Sequence, residues 1–362
     1  MVRPRIGLGL SLVVAAACSG PVEPGVQPPA NDPVTLSRGR SECRSDLVVS
    51  DEQELRTALA TAAEGTVIGI RGIIVASAGV TIDRPGLTLT CATKDAALVA
   101  GGTFQGESVD ALLLVSAARV TVTNLRLDGT LAGSATIFTS DVLSSRRERI
   151  RIERNTILCG NGSVCVFAGG GQRSGSISRN EILSDGALAG VLLLGDFANS
   201  LPADHPMVDH NQVRETSTLP VSGTGIRLSF VSHATVTANT VVGPWRASIS
   251  VSSVARSTIA DNSLLDPAGG VGLTQAIGAG VGFRDNTVSG NFFRGGAIGL
   301  VEACGNRMIR NRFSGVAVEI RLGQQTGSNL VVTRNVNGVS DLGARDCNGD
   351  GINDPNTIRA TR

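Results

Sequence analysis

GTGIRLSFVSHATVTANTVVGP (residues 223–244) and RASISVSSVARSTIADNSLLDP (246–267) repeat one pattern: alternating apolar residues, a turn, then a short apolar run behind an asparagine. Working outward, the asparagine returns as Asn155, Asn180, Asn211, Asn239, Asn262, Asn286, Asn311 and Asn335, at intervals of 25, 31, 28, 23, 24, 25 and 24 residues. Three positions before each stands Ile152, Ile177, Val208, Val236, Ile259, Phe283, Met308 or Val332. Two positions after stands Ile157, Ile182, Val213, Val241, Leu264, Val288, Phe313 or, as the exception, Asn337. Self-similarity at this period means stacked coils. No helical i, i+3, i+4 pattern joins the apolar runs, so each coil is built of strands. Coils stacked at the ~4.8 Å strand spacing pair their backbones and bury one apolar shaft. Asn suits the bend because it tolerates the left-handed conformation and its amide can bond the Asn above and below.

The two quoted units resemble the right-handed parallel β-helix repeat of the pectate-lyase-like superfamily, and within it the NosD-like repeat proteins. The resemblance spans residues 48–340 and implies an all-β, single-stranded right-handed parallel β-helix over 43–340. About ten coils stacked to roughly 45–50 Å are expected. The fold hosts lyases, hydrolases, adhesins and binding proteins alike, so it leaves function open.

The N-terminus resembles a bacterial lipoprotein signal over 1–17: MVRPR, then an apolar Ile6 to Ala17, with Cys18 as the acylated residue; Ala15 where such signals prefer Leu leaves ordinary secretory cleavage as the alternative. That apolar run is too short to span a membrane. Residues 18–42 are rich in Pro and Gly and read as a flexible tether. Ser50 with Gln53 suggests a capping box ahead of a short helix carrying Leu55, Ala58, Leu59 and Ala62 on one face. Such a helix would cover the lower end of the shaft before the strand 66–70. With Cys18 lipidated, six cysteines remain, an even number that favours disulfides in an oxidising compartment. Fifteen pairings are formally possible; proximity within a solenoid favours Cys43 with Cys91, Cys159 with Cys165 and Cys304 with Cys347.

Composition excludes several functions. Basic and acidic residues nearly cancel, at 32 against 31, so no global field draws nucleic acid. One Trp, nine Phe and no Tyr leave few aromatic platforms for a tight neutral-glycan cleft.

In the resembling enzymes the cleft follows the first strand of each coil. Alternation there leaves Arg227, Ser229, Ser250, Thr274, Glu319 and Arg321 outward. Superfamily lyases pair an Arg or Lys base with Ca²⁺-binding carboxylates, and Arg227 with Asp196 is the nearest match. The longest interval of the column holds Asp204, His205, Asp209 and His210, which suit metal ligation or acid–base work. His210 also falls in the column just before the asparagines, a solvated turn. In that column Asp261 is expected to stack on Asp285 at ~5 Å, as surface rather than as a glycosidase pair. Residues 341–362 read as a tail. In it Asp346, Asn348, Asp350, the Ile352 carbonyl and Asp354 resemble a Ca²⁺ loop, although Thr357 replaces the closing Glu. A structural Ca²⁺ is the one cofactor this pattern suggests. Gly278 to Gly282 lacks a following helix to hold a phosphate.

These features describe an extracytoplasmic lipoprotein, in the periplasm or at the cell surface. Its side face recognises a polysaccharide or other polymer, and the membrane is met only through the lipid. Alternatives are a polysaccharide lyase or glycoside hydrolase on that face, or a structural, adhesive spacer.

Overall fold

The computed structural model describes residues 43–104, 110–139, 149–170, 172–196, 200–218, 222–265, 275–279, 282–314, 320–323, 325–333, 338–343 and 345–360. The signal and tether, Cys18 included, lie outside the described residues, as do Thr274, Glu319 and Asn335.

The chain winds as a right-handed parallel β-helix. A coil contributes a strand of up to nine residues to sheet 1, a three- or four-residue strand to sheet 2 and, in most coils, another to sheet 3. One full coil is Thr224–Ser232, Thr235–Thr237 and Thr240–Val242; the next opens with Ala247–Ala255. Every described pairing between named strands is parallel, and around this coil it is in phase: Ile226 sits on Ile249, Val236 on Ile259 and Val241 on Leu264. These side chains are at most 1% exposed. Full burial of each contributes about 1.5–3 kcal/mol, which is how a polar-faced coil is held to its neighbours.

Among the described residues sheets 1, 2 and 3 have twelve, thirteen and ten strands. The stack is thus longer than the asparagine column suggests. Extra rungs of sheet 2 precede Asn155, at Leu47–Val49, Val67–Ile70, Thr88–Cys91 and Thr121–Thr123. At the other end Thr357–Ala360, within the segment read as a tail, pairs with Leu330–Thr333.

The helix Glu52–Thr61 buries Leu55, Ala58 and Leu59 against the first coils. Its N-cap is Asp51 rather than Ser50: the Asp51 side chain accepts from Glu54 N, and Glu54 Oε2 accepts from Ser50 N. The cap shifted by one residue because two capping-competent residues are adjacent and only Glu54 reaches back.

The asparagines form two ladders, not one. In the first, Asn155, Asn180, Asn211, Asn239, Asn262, Asn291 and Asn311 lead the strands of sheet 3, and each amide nitrogen down to Asn291 donates to the next amide oxygen at 2.9–3.2 Å. Asn286 is not a member. It leads a strand of sheet 2 in a second ladder with Asn306, Asn329 and Asn356. The apolar-x-x-Asn-x-apolar signature occurs at both corners, five residues apart, so Phe283 and Val288 frame Asn286 as well as Val288 and Phe293 frame Asn291. Local pattern therefore could not separate the corners; only the stacking register does. The left-handed backbone also belongs to the residue before the asparagine, as in Arg154 (φ 57), Arg179 (φ 54), His210 (φ 54) and Asp261 (φ 54), with Pro355 before Asn356 the exception.

One consequence is that Asp261 and Asp285 lie on different corners. Asp261 faces Gly290, and Asp285 faces Gly305. A Cβ on Gly290 (φ 66) would stand 2.2 Å from Asp261 Oδ1. Gly290→Ala is expected to cost about 1–2 kcal/mol in urea unfolding. The left-handed backbone is a large part of that cost, since an L residue is strained at this φ, and Asp261→Ala should recover only the share due to the contact.

The three disulfides are Cys43–Cys91, Cys159–Cys165 and Cys304–Cys347. The first ties the chain ahead of the helix to sheet 2, and the last holds residue 347 beside the upper coils.

Candidate functional site

The outer face of sheet 1, where the resemblance put a cleft, is mainly apolar. Leu114, Phe138, Phe167, Leu192, Arg227 and Ser250 follow one another in register, with Phe138 and Phe167 stacked at 4.4 Å. Arg227 is exposed in this column, between Leu192 and Ser250. Asp196 exchanges mutual backbone hydrogen bonds with Leu201. Neither lines the groove described next. Ser229, expected outward, is buried where the strand bends at Phe230 (φ 56).

The groove is on sheet 2. Three successive strands set six outward side chains in a grid, Arg151, Ser176 and Met207 in one column and Glu153, Ser178 and Asp209 in the other. The middle rung carries two serines between longer neighbours, and that difference in side-chain length makes an open groove of about 400 Å³. His205 and Ser174 border it on one corner and Arg179 on the other. Asp209 Oδ2 meets His210 Nδ1 at 2.8 Å, while Asp209 Oδ1 is buried without a hydrogen-bond partner. Glu153 is offset by Arg154 at 3.5 Å. The outward set mixes cations, carboxylates and hydroxyls, so it can both pair with an anion and accept from hydroxyl groups.

The loop residues expected to act together are divided by the strand Met207–Asp209. Asp209 and His210 occupy one edge. Asp204 and His205 occupy the other, where they meet His233 from the next coil. Asp204 Oδ1 accepts from Ser232 Oγ and contacts His233 Nδ1, both at 2.9 Å, and Oδ2 lies 3.0 Å from His205 Nδ1. His205 and His233 share one left-handed corner (φ 52 in both), which points their side chains the same way and stacks the rings at 4.6 Å. His233 was missed in the sequence because 28 residues separate it from His205, and only the rung spacing makes them neighbours.

Burial works against the charged form of Asp204, but hydrogen bonds from His233, Ser232 and His205, with the charge of His205, outweigh it and hold the carboxyl at about 2 against its ordinary 3.8. A lowered carboxyl contributes stability above its unfolded value and loses it as pH falls through the folded one. The chain should therefore lose about 1 kcal/mol between roughly pH 4 and pH 2 through this group, after allowance for solvent screening. Chemical unfolding of Asp204→Asn at both pH values should show that increment missing.

In the tail, Asp346 accepts from Gly349 N and Gly351 N, Asn348 from Asp350 N, Asp350 from Ile352 N and Asp354 from Cys347 N. The Gly351 N–H holds the Asp346 carboxyl below its ordinary value, against a smaller opposing effect of burial and with help from Gly349. Of the expected calcium loop the structure supplies the turn, with each of these side-chain oxygens turned onto backbone N–H groups.

Residues 204–338 match the family described as "Periplasmic copper-binding protein (NosD)". No curated protein sequence matches the chain. Among solved structures, DFA-IIIase from Arthrobacter chlorophenolicus A6, without its lid and in complex with GF2, superposes with a TM-score of 0.58 at 16% identity, covering 86% of this chain and 93% of the other. The same enzyme crystallised on its own gives 0.56 at 14%, covering 88% and 91%. The chain is accordingly a right-handed parallel β-helix, and its residues 204–338 are similar to the NosD family.

Proposed function

We propose that this protein is an extracytoplasmic recognition protein that binds a polysaccharide bearing hydroxyl and carboxylate groups in the groove across Arg151, Ser176 and Asp209. The observation that carries the reading is the groove itself, where the guanidiniums of Arg151 and Arg179 line one open surface with the hydroxyls of Ser174, Ser176 and Ser178 and the Glu153 carboxylate. Such a set pairs with carboxylates and exchanges hydrogen bonds with sugar hydroxyls. Arg151 and Arg179 are the groups that would pair with the ligand's carboxylates. Three disulfides support an oxidising compartment, and the family matched over 204–338 is periplasmic by its description. Anchoring through lipid on Cys18 completes the reading, with Ca²⁺ in the tail loop as a structural ion only. Calorimetric titration of the mature protein with polygalacturonate and with neutral dextran tests it. Ser176→Leu fills the groove and should weaken polyuronate binding at least about tenfold with unfolding unchanged. Equal binding by wild type and Ser176→Leu would remove the groove from the function.

A hydrolytic reading has its own observation. Glu153 and Asp209 stand two rungs apart across Ser178, a Cα spacing of ~9.6 Å. That is close to the ~6.5–9.5 Å carboxyl separation of inverting glycosidases. Arg227 with Asp196 remains the lyase alternative on sheet 1. Product analysis separates them: a lyase releases unsaturated ends, whereas an inverting hydrolase loses turnover in Asp209→Asn.

A further inference from the structure

We infer that Asp204, His205 and His233 form a binding site for one first-row divalent ion of the zinc or copper type. Two imidazoles and a carboxylate are the donor set such ions take, whereas Ca²⁺ and Mg²⁺ take oxygen alone. The three groups bring one ligand atom each within 4.8 Å of the others, and they are the only set to do so among the described residues. The Nδ1 atoms stand 2.9 and 3.0 Å from the two oxygens of Asp204. Bonds of ~2.1 Å set neighbouring ligands ~3.0 Å apart on a square-planar ion and ~3.4 Å apart on a tetrahedral one, so the spacing found needs to open by at most about half an ångström. A small inward tilt of the stacked rings brings both nitrogens to the ion.

The backbone makes this arrangement without strain specific to the site. Ala203–Asp204 pairs with Val231–Ser232, which brings Asp204 to the height of the next coil's corner. His205 N donates to Ser232 O and His233 N to Ala255 O, fixing both corner residues. Ser232 Oγ holds Asp204 Oδ1 from the far side, as outer partners of metal ligands do. His205 and His233 side chains are 60% and 38% exposed, so remaining coordination positions face solvent. An ion enters without any opening of the fold. Arg173 opposes it. Its Nη2 is 3.9 Å from Asp204 Oδ2, and its charge competes with the ion for the same carboxylate. The inference is independent of the polysaccharide reading, since only His205 is shared with the groove and no glycan takes part.

The test is titration of the full mature chain with Zn²⁺ by calorimetry and with Cu²⁺ by electron paramagnetic resonance. One ion per chain is expected, with hyperfine structure from two nitrogens. His205→Ala and His233→Ala should each weaken binding at least about tenfold, and Arg173→Ala should tighten it several-fold. His210→Ala, which removes the third histidine of the chain, should leave binding unchanged. Circular dichroism and unfolding midpoints of each variant separate loss of a ligand from loss of fold. No binding at 100-fold excess of ion over about 10 µM protein, a weakening by His210→Ala equal to that by His233→Ala, or a spectrum with one nitrogen would each overturn the inference.

Discussion

Asn239→Ala is expected to lower the unfolding free energy by about 3–5 kcal/mol. Asn239 Oδ1 accepts from both Asn211 N and Asn211 Nδ2, and Asn239 Nδ2 donates to Val208 O and Asn262 Oδ1. All of these groups are buried. Alanine removes the four side-chain bonds and leaves the Asn211 N–H and one Asn211 Nδ2 hydrogen without partners in a buried site, whereas the Val208 carbonyl keeps its place in the strand ladder. Each orphaned group costs about 1–3 kcal/mol, while the volume change itself is small. Urea unfolding measures the loss. A value near 1 kcal/mol would mean that water or a neighbouring amide replaces the side chain. Asn286→Ala gives the companion experiment on the second ladder. It should lose a similar amount, because Asn286 accepts from Ser257 N and donates to Val254 O and Asn306 Oδ1 in the same way.

Replacing Cys304 and Cys347 together by alanine is expected to release the upper end of the stack. The bridge spans 43 residues, and closing a loop of that length in the unfolded chain corresponds to about 4 kcal/mol. The consequence should be local. In a solenoid each coil contacts only its neighbours, so loss of a terminal tie frays the end before it reaches the middle. Thr357–Ala360 hydrogen-bonds to Leu330–Thr333, and Asn356 continues the second ladder from Asn329. Hydrogen exchange should therefore accelerate at Thr357–Ala360 and Leu330–Thr333 while Thr235–Thr237 stays protected. Uniform loss of protection would show instead that the tail stabilises the solenoid as one cooperative unit.

Architecture was legible because it rests on repetition. Val236, Ile259 and Val241 recur at the same distance from their asparagines, and a residue type that must be buried in every coil leaves a periodic trace. The cap was nearly legible for a similar reason: Ser50, Asp51 and Glu54 are a local pattern, and the error was one residue. Where the sequence reading went astray, two physical solutions shared one local signature. Asn286 and Asn291 have equivalent neighbours, and the five-residue step between corners is shorter than the scatter in coil length. The serine groove left no trace of its own. Ser176 and Ser178 are unremarkable until Glu153 and Asp209 are stacked on either side of them.

Apolar periodicity thus sufficed to set the solenoid, its inward faces and the existence of amide ladders, since burial acts on every coil alike. Which residues meet at a corner depends on the exact number of residues in each intervening turn. A difference of a few residues there moves a side chain to another face. That is why Asp204 and His233 become partners only in the folded stack, while Asp209 and His210, their neighbours in the chain, are carried to the opposite edge of the same strand.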